Sequence, residues 1–259
     1  MATNNVDNAV EIIKQNLHSY GLLHDKIISL LNRDPDLSKL IHSYKSRMKD
    51  ITHLKDKIIR KNAEDDLLEF SKKKGHIHHE NIMKRITDIC GIRILHLYIG
   101  QFESIHKAIM KYEEEGEISL FEAPKAYTWD PEFSHFFKKL GLDTSLKESF
   151  YTSVHYVFKP RADSNITCEV QVRTLFEEVW GEIDHTFNYP VASSSKVVQE
   201  QLKVLARVVG AGTKLSDSIF ELHKLDNTQR KASSAIEKKE IEEAKISINN
   251  LLSPFKVEV

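Results

Sequence analysis

Hydrophobic positions early in the chain recur at helical spacing: Val10, Ile13 and Leu17, then Ile27, Ile28, Leu30 and Leu31. Steps of three and four put such side chains on one stripe of a helix, so the pattern predicts helices from Val6 to about Lys74, with "NRDPDL" as a turn between segments. From Ile86 to Pro190 the period changes. Three stretches, "GIRILHLYI", "FYTSVHYVFKP" and "TCEVQVRT", read as strands, separated by helical stretches such as "QFESIHKAIMKYEEEG". "EAPKAYTWDPEF", with two prolines, reads as a long flexible loop. From Ser193 onward Val197, Leu202, Leu205, Val208, Leu215, Ile219 and Leu222 return to helical spacing, followed by the charged "QRKASSAIEKKEIEEAK" and a short apolar end, "ISINNLLSPF". The layout is α/β or α+β, between a helical lead-in and a helical C-terminal extension.

Composition sets the class without changing this layout. With 259 residues, 41% hydrophobic and 29% charged, the chain is long enough for one substantial globular domain plus an appendage. Its start lacks a basic segment followed by an apolar run, and no apolar stretch is long enough to span a bilayer, so a cytoplasmic protein without membrane contact is expected. Cys90 and Cys168 sit in strand-like apolar runs and are expected to be small core residues with no catalytic role. The net charge of -1 means that any binding of anionic ligands must come from local clusters of Lys and Arg.

Because successive side chains of a strand point to opposite faces, each strand can be read for what its two sides carry. In "FYTSVHYVF" the residues Phe150, Val154, Tyr156 and Phe158 form an apolar side, and Tyr151, Ser153 and His155 form the other. "GIRILHLYI" is apolar on both sides, as a central strand is, and Arg93 within it needs a carboxylate or a phosphate to offset its desolvation. Asp88 lies just before it. In "CEVQVRT", Glu169, Gln171 and Arg173 alternate against Cys168, Val170 and Val172. One polar strand face is more often simply solvated. Three strands agreeing, with an arginine inside an apolar run, favour a site in which two carboxylates share Mg²⁺, cations hold phosphates and a tyrosine stacks on a base. Upstream, "YKSRMKDITHLKDKIIRK" carries Arg47, Lys49, Lys55, Lys57, Arg60 and Lys61. A run of this kind is usually a solvated helix face; beside a metal site it becomes a clamp for a triphosphate.

The ordered set "SRMK", "LKDKIIRK", "DICGIRI", "YTSVH", "EVQVRT" and "WGEIDHTFNY" resembles the synthetase domain of the RelA/SpoT family. The resemblance implies a nucleotidyltransferase-like α+β fold, a mixed sheet flanked by helices, divided as a lead-in over 1–40, the synthetase domain over 41–192 and a helical extension over 193–259. It implies Mg²⁺-dependent transfer of the β,γ-pyrophosphate of ATP to the 3′-hydroxyl of GTP or GDP. Carried over by position, Asp88 and Glu169 match the metal carboxylates, and Glu169 also activates the hydroxyl. Arg47, Lys49, Lys57 and Arg93 match the ATP-side cations, with Arg60 beside them. Tyr151 matches the tyrosine that stacks on the acceptor base, with Ser153 and His155 on the acceptor side, and Gln171 and Arg173 support the geometry.

Two departures from the family pattern stand out. Phe150 and Thr152 flank Tyr151 where the family usually has glycine and a basic residue. The hydrolase half of the long family members has no counterpart here beyond a lone His24-Asp25 pair, so a synthetase without hydrolase activity is expected. Asp184-His185 has the wrong order for a hydrolase pair, and its helix, with Trp180, is expected to pack behind the site and line the acceptor pocket. "GAGTK", Gly210 to Lys214, lacks the spacing of a phosphate loop and reads as a helix irregularity; "HIHHE", His76 to Glu80, reads as a polar loop rather than a metal site. Alternatives remain. One is an enzyme of the same donor chemistry acting on tRNA 3′ ends or adenosine nucleotides, with an antitoxin or other regulatory partner; another is a catalytically silent nucleotide sensor. The C-terminal helices are expected either to cap the domain or to mediate homo-oligomer formation.

Overall fold

The computed structural model describes residues 2–189 and 191–252. Two compact units are present, residues 1–213 and residues 214–259. In the first, α1 (Ala2–Arg33) and α2 (Pro35–Leu40) precede β1 (Ser43–Met48), α3 (Ile51–Asp66), α4 (Ile82–Arg85) and β2 (Cys90–His96). Then follow α5 (Phe102–Glu114), β3 (Ser119–Thr128), α6 (Pro131–Lys139), β4 (Asp143–Leu146), β5 (Ser153–Lys159), β6 (Cys168–Thr174), α7 (Leu175–Asn188) and the start of α8 (Lys196–Leu252). In the second unit the described residues, 214–252, belong to α8. Ser253, Pro254 and Phe255 of the apolar end lie outside the described residues, as does Pro190. No helix among the described residues is long and apolar enough to cross a membrane.

The helix starts follow from local chemistry. Asp34 caps α2 by accepting from the amides of Asp36 and Leu37, both at 2.9 Å, and Asp50 caps α3 through Thr52 at 2.7 Å. Asp130 and Pro131 begin α6 in the same way. Thr174 and Glu177 form a capping box that turns β6 directly into α7. That junction decides where α7 lies, because it allows the helix no connecting loop.

The six strands form one mixed sheet in the order β1-β2-β6-β5-β3-β4. β2 and β6 are parallel, whereas β1 pairs antiparallel with β2 and β5 antiparallel with both β6 and β3. On one face Ile92, Ile94, Val154, Tyr156, Phe158, Val170 and Val172 pack against Ile13, Tyr20 and Leu23 of α1 and Phe102 and Ile105 of α5. This is the core. The cysteines join it: Cys90 and Cys168 are register partners, both fully buried and free. The opposite face carries the polar side chains, and α7 crosses it.

Several sequence expectations need correction. The stretch to Lys74 is not all helix, since "SYKSRM" is the strand β1; at the sheet edge it has no buried side and so leaves no alternation to read. "EAPKAYTWDPEF" is not a flexible loop. It supplies most of β3 and the start of α6, and Pro124 is accommodated because β3 shifts register against β5 between Glu122 and Lys125. β4 was not anticipated, being a four-residue edge strand. Phe150 does not continue the apolar side of β5: the strand starts at Ser153, and Phe150 has a left-handed backbone (φ 59°) with its ring 5.0 Å from that of Trp129. Gly210 to Lys214 is no irregularity but continuous helix, in which Gly210 lets Trp129 and Gly212 lets Phe176 approach.

Candidate functional site

Register places the polar side chains in rows. Lys45 on β1 is the partner of Arg93 on β2, Arg93 of Gln171 on β6, Gln171 of His155 on β5, and His155 of Lys125 on β3. In the next row Gly91 separates Arg47 from Glu169. Lacking a side chain, Gly91 leaves a hollow there. A cavity of about 270 Å³ opens at this place, lined among others by Lys45, Arg47, Asp88, Arg93, Glu169 and Gln171, with Glu182 and His185 from α7.

The two carboxylates are held differently. Asp88 sits just before β2, and its oxygens take the ammonium groups of Lys57, at 2.6 and 2.7 Å, and of Lys49 at 3.0 Å. Burial alone would raise its pKa, but Lys57 and Lys49 bring it down to about 2. Glu169 accepts from Gln171 at 2.6 Å and meets His155 Nδ1 at 3.2 Å. Desolvation pushes its pKa up, the contacts with His155 and Gln171 together pull it down, and the net direction is down. Both groups are therefore ionised over the physiological range. Their oxygens suit a hard cation that keeps some waters; among the described residues no group of three or more His, Cys, Asp or Glu forms a closed metal cage.

Around them the cations are paired. Glu178 on α7 has a side chain only 5 % exposed and collects Lys45 at 2.9 Å, Arg93 at 3.3 Å and Arg173. These three cations hold it ionised against the cost of burial. Glu182, one turn on, also pairs with Arg93 and is 50 % exposed. Arg173 runs beneath α7 at Gly181, where an added Cβ would stand 2.7 Å from Nη1. Arg47 faces the cavity with no ion-pair partner among the described residues.

Of the residues singled out from the sequence, Arg47, Asp88, Arg93, Glu169 and Gln171 line the cavity, and Lys49 and Lys57 reach it through Asp88. Others are placed elsewhere. Arg60 lies outside the lining, pairing with Glu64 at 3.7 Å and standing over the ring of Tyr189. Ser153 is buried and donates to the carbonyl of Val172 at 3.4 Å. His155 has both ring nitrogens engaged, Nε2 with the Tyr151 hydroxyl at 2.8 Å and Nδ1 with Glu169, and so orients both groups. Tyr151 packs with Phe150 and Leu205 against Trp180, and Arg173 stands 5.9 Å from its ring centre. Arg173 itself is buried and ion-paired, a support rather than a cavity residue. The helix of Trp180 and His185 brings Glu182 and His185 to the cavity lining, and it contributes two residues the sequence reading missed, Glu178 and Glu182. Their signal was present: they are four apart on one helix, directly after a strand whose neighbour holds an arginine in need of an anion. The His76–Glu80 loop lines a separate hollow of about 680 Å³.

Fold and site define an α+β protein with a carboxylate-bearing, cation-rich cleft across a mixed sheet. The sequence profile described as the region found in RelA / SpoT proteins matches residues 46–194, more than half of the chain, and the chain belongs to the RelA/SpoT family. Among curated proteins it is 24% identical over 176 residues to GTP pyrophosphokinase YwaC of Bacillus subtilis (strain 168), covering 65% of this chain and 71% of that one. Among solved structures, a GTP pyrophosphokinase family protein from Streptococcus pneumoniae superposes with a TM-score of 0.57 at 19% identity, covering 85% of this chain and 94% of that one. Small alarmone synthetase 1 from Bacillus subtilis gives 0.55 at 16% identity, covering 83% and 96%. At these identities the structural likeness establishes the fold.

Proposed function

We propose that this protein is a GTP diphosphokinase, transferring the β,γ-pyrophosphate of ATP to the 3′-hydroxyl of GTP or GDP and so making (p)ppGpp. The observation that carries the reading is that Asp88, just before β2, and Glu169 on β6 open into one cavity with Arg47 and Arg93. Family membership and the names of its relatives point the same way.

In this reading Asp88 and Glu169 would hold Mg²⁺. When bound, the ion neutralises charge on the transferred group. Lys49 and Lys57 turn from Asp88 to hold the triphosphate, and Arg93 lies with Arg47 on the adenine side. Arg47, exposed and unpaired, stacks on the adenine. Glu169 accepts the proton of the 3′-hydroxyl. Tyr151, fixed by His155, stacks on the acceptor base. We assign this activity to residues 41–192, flanked by helical segments over 1–40 and 193–259, and expect no hydrolysis of ppGpp with Mn²⁺.

One observation favours a second acceptor. Thr152, where relatives of this type carry a base, is buried and bonded to Thr128 Oγ1 at 3.1 Å, so it offers no charge to an acceptor phosphate. ATP labelled at the β-phosphate, supplied with Mg²⁺ and separately with GTP, GDP, GMP, ATP or tRNA, tests both readings, with Asp88→Ala as control. Label in a guanosine tetra- or pentaphosphate supports the proposal. Label in RNA or an adenosine product moves the protein to the second reading; no transfer leaves a nucleotide sensor.

A further inference from the structure

The hollow beside the His76–His79 loop takes no part in the chemistry above. Its volume of about 680 Å³ is larger than the catalytic cavity of about 270 Å³ and falls within the roughly 300–1,000 Å³ of small-molecule sites. Lys55, Ile59, Asn62, Ala63 and Asp66, spaced to form one stripe of α3, make one wall; the start of α1 and the loop make the others. The loop is fixed in place. Asn62 accepts from the Ile77 amide at 2.7 Å and donates to its carbonyl at 3.4 Å, and buried Asp65 accepts from the Lys74 amide at 2.7 Å.

Its chemistry differs from that of the catalytic cavity. Lys55 is paired with Asp7 at 2.7 Å, and Asp66 meets His76 Nε2 at 2.7 Å, so whether or not His76 carries a proton no permanent cation is left over for an anionic ligand. Among the described residues no group of three or more His, Cys, Asp or Glu is placed to hold a metal. What the walls do offer is the apolar Val6, Ile59 and Ile77 beside the rings of His78 and His79, whose centroids stand 5.9 Å apart, edge to face. His79 has no hydrogen bond or ion pair among the described residues. Apolar walls with imidazoles that can both pack and hydrogen-bond suit a flat, uncharged ring. Position adds a consequence. Lys57, two residues on from Lys55, lies on the other side of the same helix, where it bonds Asp88 at 2.6 and 2.7 Å. We propose that the hollow is a second ligand site, for an uncharged aromatic molecule, and that its occupancy is felt at the catalytic cavity through α3 and Lys57. The coupling rests on the reading of that cavity as the ATP site; the ligand site itself does not.

The test titrates the whole protein with N-phenylnaphthylamine, an uncharged dye whose emission rises in apolar surroundings, and with anilinonaphthalenesulfonate, which has the same rings and a fixed negative charge. The uncharged dye is expected to bind about ten-fold more tightly or better. Ala63→Trp, which fills the hollow from an exposed helix position, must abolish its binding, and Ile59→Glu must weaken it, with circular dichroism showing that both variants fold. Phe70→Ser, on the 94 % exposed turn that follows α3, must leave it unchanged. Equal binding of the two dyes, binding unchanged in both hollow variants, or loss of binding in Phe70→Ser overturns the site. The dye is then titrated with and without saturating adenosine 5′-(α,β-methylene)triphosphate and Mg²⁺. Its Kd is expected to shift about five-fold or more, and the dye must shift the Kd of the analogue by the same factor. A dye that fills the hollow and leaves the affinity for the analogue unchanged overturns the coupling. Failure of the free protein to bind the analogue overturns the ATP reading and the coupling with it, and the dye titration still decides the site.

Discussion

Gly181 gives the sharpest test of how α7 sits on the sheet. It lies inside a helix, where alanine is ordinarily better than glycine by about 0.8–1.0 kcal/mol. Here an added Cβ would meet Arg173 Nη1 at 2.7 Å and Cζ at 3.4 Å. The arginine cannot simply swing aside, because its side chain is 3 % exposed and paired with Glu178, which is 5 % exposed. Separating a buried pair of this kind costs about 3–5 kcal/mol. Subtracting the helix gain leaves a net loss of about 2–4 kcal/mol for Gly181→Ala, or a fall in Tm of roughly 4–16 °C for a unit of this size. Urea and thermal unfolding followed by the fluorescence of Trp129 and Trp180 measure it. A Gly181→Ala protein more stable than wild type by about 1 kcal/mol would refute the reasoning, since Arg173 would then have room that the structure denies it.

Further outcomes are expected. Burial holds the His96 pKa down at about 4, so the unfolded chain binds the extra proton between about pH 6.5 and 4, and this group makes stability rise with pH across that window. Burial pushes Glu177 up to about 7; its contribution is present at low pH and lost as pH rises from about 4.5 to 7, the opposite sign. Wild type should thus show a shallow profile where the windows overlap, whereas Glu177→Gln should steepen the rise and His96→Asn should leave a fall; parallel profiles for all three would contradict the assignment. Phe150→Ala should be less stable than Phe150→Gly by about 1 kcal/mol, because the backbone is left-handed there, and urea midpoints with the order reversed would refute this. Asp88→Asn should lower AMP formation from ATP about 10²-fold or more at saturating Mg²⁺, and near-normal rates would remove Asp88 from the site.

The legible parts of the fold were those with a buried side. β2, β5 and β6 alternate or run apolar because the core packs against them, and their polar partners followed from the alternation. β1 was invisible because none of its residues is buried, yet it carries Arg47. β3 was masked by Pro124, which reads as a loop until the register shift beside it is known. Within the site, the need of Arg93 for an anion was plain from its apolar surroundings, but its partners lie 85 and 89 residues away, on a helix whose glutamates look like ordinary solvated residues. Arg60 illustrates the converse: basic residues of one segment share a sequence neighbourhood, yet this one is not in the cavity lining and stands over the ring of Tyr189. Ser153 and His155 share one face of β5, but the first is buried against the Val172 carbonyl and the second is committed to Tyr151 and Glu169.

The most direct measurement of the central claim is the stoichiometry of products from ATP and GTP with Mg²⁺, separated by anion exchange and identified by mass and ³¹P NMR. The account predicts AMP and guanosine pentaphosphate in equal amounts, with the added diphosphate on the ribose 3′-oxygen and no product from Glu169→Gln. ADP with free phosphate, or AMP with free pyrophosphate and unchanged GTP, would contradict it.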